Sequence, residues 1–512
     1  MSNTENTKRI AKNTLLLYFR MMISMGVSLY TSRVVLATLG IEDFGVLGVV
    51  GGVVAMFSFI NASMSGSTSR FLTFALGEED LVKVKKTFST ALTIHFLIAL
   101  LIFILAETVG LWFFENKLEI NPDRMDAARI VFHLSVVSAM IGIVLVPYNA
   151  IIMAYERMSV YAYIEILNVL LKLGCVFLLL VGNFDKLIFY TILIFSVSVI
   201  ISVICVLYCL KHFEGSKYKF EWDKKTMYPM LSFSGWDLYG NLSVIARTQG
   251  VNLLLNVFFG VILNAANSIA MQVQGAVLSF AYNIITAARP QIVKSYAAKN
   301  YQYTKTIVLN ATKYIYLLLL LLSLPLILEM NFVLNLWLKN VPQYAVSFCR
   351  LTLLFNFFST MSIIVVSAVH ATGNNKRPSL INGSLYLAVI PVTYIAFKLD
   401  GIPEIPYICN ALFVFIGMLS NVYTLKLYLP GFSFKEFVMK VLSVCFVISL
   451  VAFVFACYVR STMPASFLRF CIVTAVSTIT TAGMTYVIAL DKQAKHFMKE
   501  KITNTVRKWK KQ

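Results

Sequence analysis

Residues 232–256 read SFSGWDLYGNLSVIARTQGVNLLLN. The run is long enough to cross a bilayer, for which about 20 residues suffice. Yet it carries Asp237, Asn241, Arg247, Gln249 and Asn252, which a lipid-facing helix should not. A charge at mid-membrane costs on the order of 3 kcal/mol even on the lenient insertion scale. At about 100° per residue, Asp237, Asn241, Thr248 and Asn252 fall on one stripe, with Arg247 flanking it. Such a face belongs against a protein-enclosed or watery cavity, and the remaining sequence reads as the means of building one.

Of the 512 residues, 59% are hydrophobic and only 13% charged, about half the charged fraction of an ordinary soluble domain. The apolar residues come in long blocks, so the fold class is an all-α polytopic membrane protein. Fourteen spans are expected, near 12–36, 44–65, 87–113, 129–153, 160–181, 187–210, 230–256, 262–287, 306–328, 347–370, 380–397, 404–427, 437–459 and 467–490. The hydrophobic run after the basic residues Lys8, Arg9 and Lys12 is too long for a signal sequence and lacks a small-residue cleavage site. It reads as an uncleaved first span. The eight cysteines lie in or beside hydrophobic segments without metal-ligand spacing and read as small buried residues.

The net charge of +20 suggests nucleic acid until its placement is followed. With the N-terminus inside, about thirty of the Lys and Arg residues fall in cytoplasmic loops and the C-terminal tail. The opposite loops receive Lys117, Arg124, Arg129, Lys186, Lys339, Lys398, Arg460 and Arg469. This asymmetry places both termini in the cytoplasm. It assigns the excess charge to anionic lipid headgroups, with no call for nucleic acid.

An internal repeat shows as punctuation at fixed offsets. Gly40 after the first span matches Gly260 after the seventh, an offset of 220; Arg70 matches Arg289, an offset of 219. Ala154 in AYERMS matches Ala371 in ATGNNKRPS, an offset of 217. Each half then holds six spans, an even number, so the repeats are parallel, related by an axis along the membrane normal. The expected organisation is a six-helix lobe at 1–215, a second at 216–430, an additional helix pair at 431–490 and a basic cytoplasmic tail at 491–512.

Polar residues recur on single faces of other spans. Asn13, Arg20, Ser24 and Thr31 share one in the first; Glu165, Asn168 and Lys172 share one in the fifth. The eighth carries Asn264, Ser268, Gly275, Ser279, Tyr282 and Thr286 along a stripe, with Gln272 beside it. The bland readings are real. The second span's Gly45, Gly48, Gly51 and Gly52 suit close helix packing. Serines and asparagines within spans commonly bond neighbouring helices, and Glu165 and Lys172 can neutralise one another. Arg33, Lys313 and Arg350 lie near helix ends, where such side chains snorkel. Arg20, Lys172 and Arg247 are deeper. Within the spans these six cations face two acids, Glu165 and Asp237, and that sign suits an anionic substrate, which Arg can grip through paired donors. No phosphate loop of the GxxxxGK[ST] type, HExxH or Cys/His cluster is present. The chain therefore reads as a non-enzymatic protein without metal or cofactor.

The opening NTLLLYFRMMISMGVSLYTSRVVLATLGIEDFGVLGVVGG (13–52), followed by SRFLTFALG (69–77), resembles that of Wzx-type polysaccharide and O-antigen flippases. These belong to the multidrug/oligosaccharidyl-lipid/polysaccharide (MOP) exporter superfamily. FSGWDLYGN (233–241) and AYERMSVYAYIEILNVLLKLG (154–174) are similar to its seventh helix and its fourth-to-fifth helix link. Fourteen spans depart from the twelve of many such flippases and resemble the lipid II flippases. The resemblance implies two lobes around a central cavity, working by alternating access in the bacterial inner membrane. The cargo it implies is a polyprenyl-diphosphate-linked oligosaccharide for surface polysaccharide or lipopolysaccharide synthesis, moved with H+ or Na+ as a coupling ion. On that basis Arg20, Lys172 and Arg247 are expected to hold diphosphate or acidic sugar. Asn241, Asn252, Gln272 and Tyr282 would meet sugar hydroxyls, while Glu165 and Asp237 would orient the cations or carry the coupling proton. A multidrug cation antiporter of the same fold is the alternative, disfavoured by the cationic excess. A membrane polysaccharide polymerase or ligase is a more distant one, disfavoured by outer loops of at most about 15 residues, shorter than most structureless loops that carry function.

Reporter fusions after Leu118, Asp185, Lys339, Asp400 and Ser461 should all read as extracytoplasmic. A cytoplasmic signal at Asp185 or Lys339 breaks the span count of its half.

Overall fold

The computed structural model describes residues 13–27, 58–112, 121–179, 185–220, 223–338 and 341–490, with short runs and single positions besides, among them 37–40 and 43. Every regular element among the described residues is helical. We number them α1 (13–27), α2 (Ser58–Gly77), α3 (Leu81–Gly110), α4 (Pro122–Ala154), α5 (Met158–Leu178), α6 (Lys186–His212) and α7 (Lys224–Phe259). Then follow α8 (Val261–Ala297), α9 (Tyr301–Trp337), α10 (Ala345–Ala371), α11 (Lys376–Lys398), α12 (Ile405–Tyr428), α13 (Phe434–Ser461) and α14 (Phe467–Ala489). Among the described residues twelve helices, α3 to α14, are long and apolar enough to cross a membrane, and they fall on the third to fourteenth expected spans. The first two expected spans, 12–36 and 44–65, lie partly outside the described residues.

The connections are shorter than hydropathy suggests. Residues 66–86 and 288–305 read as loops, but α2 runs to Gly77 with α3 starting at Leu81, and α8 runs to Ala297 with α9 starting at Tyr301. Hydropathy falls at the first basic residue, whereas a helix continues for as long as its backbone hydrogen bonds do. Arg70, five residues past the end of the second expected span, is thus a residue of α2, buried with its guanidinium 4.5 Å from the Phe71 ring centroid and 4.8 Å from that of Phe74.

The backbone states the repeat more plainly than the side chains do. Between α2 and α3, Glu79 takes a left-handed φ of 59°; between α8 and α9, Lys299 takes 58°, 220 residues later. The surrounding bonds keep that register. Glu78 N donates to the Phe74 carbonyl and Ala298 N to that of Lys294; Glu79 N donates to Leu76 and Lys299 N to Tyr296. Asp80 then caps α3 by accepting from Lys83 N, as Asn300 caps α9 by accepting from Tyr303 N. Gly40 and Gly260 share φ of 81° and 80°. Glu156, at φ 57°, donates from its N–H to Met153, and Gly373, at φ 89°, donates to His370, both at an offset of 217. Three turns of one handedness at matched positions are what a duplicated six-helix unit leaves behind.

The chain divides into two compact units, each with its own interior. The first comprises Ala11–Asn241 with Val293–Lys299; the second comprises Leu242–Ile292 with Asn300–Gln512. The division passes through α7 and near the end of α8, so each of these helices contributes to both units. In the first unit, Leu72, Phe88, Ile151, Ile152, Cys205 and Cys209 are fully buried, and Phe88 meets Tyr148 edge to face at 5.1 Å. In the second, α10 is the central post, with 72% of its span buried. Beside it Asn421 and Asn382 exchange amide hydrogen bonds, and Asn421 also donates to Ser362. A Cβ at Gly417 would come within 2.7 Å of the Asn382 oxygen, so this amide pair depends on glycine there. All eight cysteines are free thiols.

Ion pairs tie helix ends together within each unit. In the first, Arg124 spans Asp43 and Asp185, each at 2.6 Å, while Asp185 also caps α6. The hydrogen bond from Arg124 holds the Asp185 carboxyl below the ordinary carboxylate range. That contribution is therefore complete above the unfolded pKa of about 3.9 and is lost as pH falls through the lower folded value. Glu156, almost fully buried, pairs with Lys294 at 2.9 Å. In the second unit Glu329 sits where α9 leaves helical geometry, at φ −102° and ψ 20°, four residues past Pro325, and it receives Arg469 at 2.7 Å.

The matched turns predict matched stability effects. Nothing lies within 4 Å of an added Cβ at Gly40 or Gly260, so Gly40→Ala and Gly260→Ala should each cost about 1–2 kcal/mol from backbone strain alone. Glu79→Gly and Lys299→Gly relieve that strain at an entropic cost in the unfolded chain and should leave stability unchanged or raised. Thermal unfolding midpoints of the four purified variants check the pattern.

Candidate substrate-binding site

The deep arginine of the opening segment organises a polar interior in the second unit. Arg247 lies in α7, and its Nη1 donates to Asn410 Oδ1 of α12 at 3.1 Å. Its guanidinium carbon stands 4.7 Å from the Tyr386 ring centroid of α11 and 5.0 Å from that of Phe355 of α10. Aromatic faces attract a cation without neutralising it. Among the described residues no carboxylate pairs with Arg247, so its charge remains available to a ligand.

Arg247 borders a cavity of about 60 Å³, room for a few water molecules or one small polar group. Thr248, Asn267, Gln274, Thr352, Tyr407 and Asn410 supply its other polar surface, and no acidic residue lines it. The hydrogen bonds run in a chain: Tyr407 donates to Asn267 Oδ1 at 2.7 Å, and Asn267 donates to Asn252 Oδ1 at 3.1 Å. On the other side, Gln274 donates to Asn356 Oδ1 at 3.1 Å, while Asn356 Nδ2 is buried without a hydrogen-bond partner. Such an orphaned donor in a low-dielectric interior costs about 1–3 kcal/mol. Thr248, Thr352 and Tyr407 spend their hydroxyl hydrogens on Val244, Phe348 and Asn267, so the unspent donors of this wall are chiefly those of Arg247, and a cation without a lining carboxylate suits an anion.

The structure distributes the sequence-derived candidates between the two units. Arg247 and Asn252 belong to the cavity and its hydrogen-bond chain. Tyr282 is 49% exposed on α8, within electrostatic range of Tyr386. Gln272 and Ser268 are exposed on the same helix. The stripe expected on α8 is therefore an accessible polar face, whereas the residues that line the cavity are Asn267, Met271 and Gln274, about 100° round the helix. In the first unit, Arg20 lies 5.2 Å from the Tyr161 ring centroid, with its Nε buried and unbonded. Glu165 lies within electrostatic range of that tyrosine. Lys172 is exposed, and no ion pair joins it to Glu165 among the described residues, so mutual neutralisation of this pair is not found. Asn241 donates to Ser63 at 2.8 Å, an interhelical bond of the bland kind; Asp237 is half-buried one turn before it. The common stripe of Asp237, Asn241 and Asn252 is thus divided, its earlier members in one unit and the last in the other.

Sequence reasoning missed Phe355, Tyr386, Tyr407 and Asn410. They are lone polar or aromatic residues on three apolar helices, α10, α11 and α12, with Tyr407 and Asn410 one turn apart on α12, and only tertiary packing brings them to Arg247. Asn267 and Gln274 were passed over as well, although their i, i+7 spacing on α8 is a signal that could have found them.

No family model matches the chain, and no curated protein sequence does. Solved structures do match. A MATE transporter in complex with MaD3S aligns at a TM-score of 0.72 and 14% identity, over 83% of this chain and 97% of that one. The fold is that of the MATE transporters. An outward-facing multidrug resistance MATE transporter of the MOP superfamily aligns at 0.71 and 15%, over 84% of this chain and 99% of that one. A MOP superfamily transporter from Pyrococcus furiosus, described as having a binding pocket of reverse polarity that suggests a different function, aligns at 0.70 and 15%, over 81% and 96%. At such identities the likeness speaks of the fold alone.

Single cysteines at Arg20, Lys172 and Arg247, introduced after the native cysteines are removed, should react with a hydrophilic thiol reagent from at least one side of the membrane. Full protection at all three positions returns them to a structural role.

Proposed function

We propose that this chain is a membrane transporter that moves an anionic, lipid-diphosphate-linked oligosaccharide across the bacterial inner membrane without altering it. The observation that carries this reading is Arg247, an arginine deep in a span, set between two rings and an amide beside a cavity without a carboxylate. A cationic drug would meet like charge there, whereas a phosphate or acidic sugar meets paired N–H donors. Arg20 and Lys172 are the further cationic candidates, in the first unit. Asn252, Gln272 and Tyr282 offer bonds to sugar oxygens, and Asn241 serves by fixing α7. Glu165 and Asp237 are the candidates for orienting the cations or carrying a coupling H+ or Na+. The cavity at Arg247 is far too small for an oligosaccharide, so in this reading it takes one charged group while the sugar lies on accessible polar faces such as that of α8. The six-helix repeats at 1–215 and 216–430 would supply alternating access, with the helix pair at 431–490 as an addition and both termini cytoplasmic.

The second reading, a multidrug antiporter, rests on the fold it would share with the multidrug resistance transporter above. The two differ in phenotype. Cells lacking a flippase should accumulate the completed lipid-linked unit on the cytoplasmic leaflet and lose surface polysaccharide, with drug sensitivity unchanged. Arg247→Ala should reproduce that block at normal protein level. Arg247→Lys should be milder if charge alone matters and nearly as severe if bidentate grip does. Single units still displayed on the outer leaflet, with only long chains missing, would mean that the chain is a polymerase.

A further inference from the structure

At the far end of α9 three arginines gather around one carboxylate. Glu329 is almost fully buried at the kink of α9 and receives Arg469 of α14 at 2.7 Å. Arg460, at the end of α13, approaches its other oxygen at 3.6 Å, too far for a hydrogen bond. Arg350 of α10 donates from Nε to the Ile327 carbonyl at 2.8 Å and stands within Coulombic range of both Glu329 and Arg460. Arg469 spends further donors on the Met463 carbonyl and, through its backbone, on Ser466. The pairing is incomplete, since Glu329 Oε1 and Arg469 Nε are buried without hydrogen-bond partners. Of the carboxylates in the α11–α12 connection at this end, Asp400 and Glu404, Glu404 accepts from Ser347, and neither pairs with an arginine among the described residues.

Three cations around one acid leave a positive excess, and Arg350 and Arg460 repel each other across it. Each guanidinium has five N–H donors; Arg350 spends one, and Arg460, 40% exposed, makes no hydrogen bond among the described residues. Two partly unspent guanidinium forks match the oxygens of a phosphate, which Arg binds in bidentate fashion. The N-termini of α10 and α14 open at the same end and add their own positive field. The surroundings say what carries the phosphate. Trp337 and Tyr458 at the ends of α9 and α13, and Phe467 and Leu468 at the start of α14, have 52–70% of their surface exposed, the arrangement of residues that sit at a headgroup boundary.

We propose that Arg350 and Arg460, steadied by Glu329 and Arg469, form a site for the phosphate of an anionic membrane lipid. The lipid supplies the missing negative charge and, through its acyl chains, covers the apolar residues around the arginines. The loop-charge asymmetry assigns these helix ends to the extracytoplasmic leaflet. The site is separate from the Arg247 cavity and does not depend on what the protein transports.

The test uses the purified full-length protein in a zwitterionic detergent, with thermal unfolding followed as lipid is added. Phosphatidylglycerol should raise the midpoint by several degrees, while phosphatidylcholine and inorganic phosphate at equal concentration should not. The double variant Arg350→Gln/Arg460→Gln should lose the rise. Should it fail to fold, Arg460→Gln alone, at the half-exposed position, should lose at least half of it. An equal rise with phosphatidylcholine, or a full rise in the variants, overturns the site. An equal rise with inorganic phosphate overturns the lipid as its occupant.

Discussion

Hydrocarbon makes every unsatisfied polar group costly, and much of the structure follows from that constraint. In a bilayer every backbone N–H and C=O must be bonded within the protein, which leaves helices as the elements that these apolar blocks can form. The same penalty governs the side chains. Asn421 lies among the spans because Asn382 and Ser362 meet it, and Asn267 because Asn252 and Tyr407 do. Where polar residues are exposed along a span, as on α8 with Ser268, Gln272 and Tyr282, lipid is an expensive neighbour and water or ligand an inexpensive one. Arg247 is the extreme instance: two rings and one amide hold it, and no carboxylate among the described residues cancels it.

Much of the architecture was legible because hydropathy is a property of the chain itself. Twelve of the fourteen expected spans correspond to helices, and the others lie partly outside the described residues. The duplication was legible at Gly40 and Gly260, where a left-handed turn needs glycine. It was faint at the partners Glu79 and Lys299, because there the handedness is kept by hydrogen bonds while the residue type has changed. Helix ends were misread where Arg70 broke the hydropathy without breaking the helix.

The site was legible only in its axis. Arg247 and Asn252 could be picked out because polarity in a span is costly and therefore conspicuous. Tyr386, Phe355 and Asn410 could not, since an aromatic residue or a lone amide on an apolar helix is ordinary until the fold turns it toward an arginine. On α8 the periodicity was right and the face wrong by about 100°: the stripe richest in polar residues is the accessible one, while Asn267 and Gln274 point into the interior.

The ion clasps bear on how such a chain can be assembled during synthesis. Asp43 precedes Arg124, and Glu329 precedes both Arg460 and Arg469. A chain threaded from its N-terminus delivers the acid to a membrane face before the arginine that will hold it. Each of these arginines therefore arrives where a counter-charge already waits, and the α13–α14 hairpin can dock on a prepared carboxylate. Reversing the pair, with Arg at position 329 and Glu at 460 and 469, would keep opposite charges in contact while presenting the nascent protein with an unaccompanied cation first.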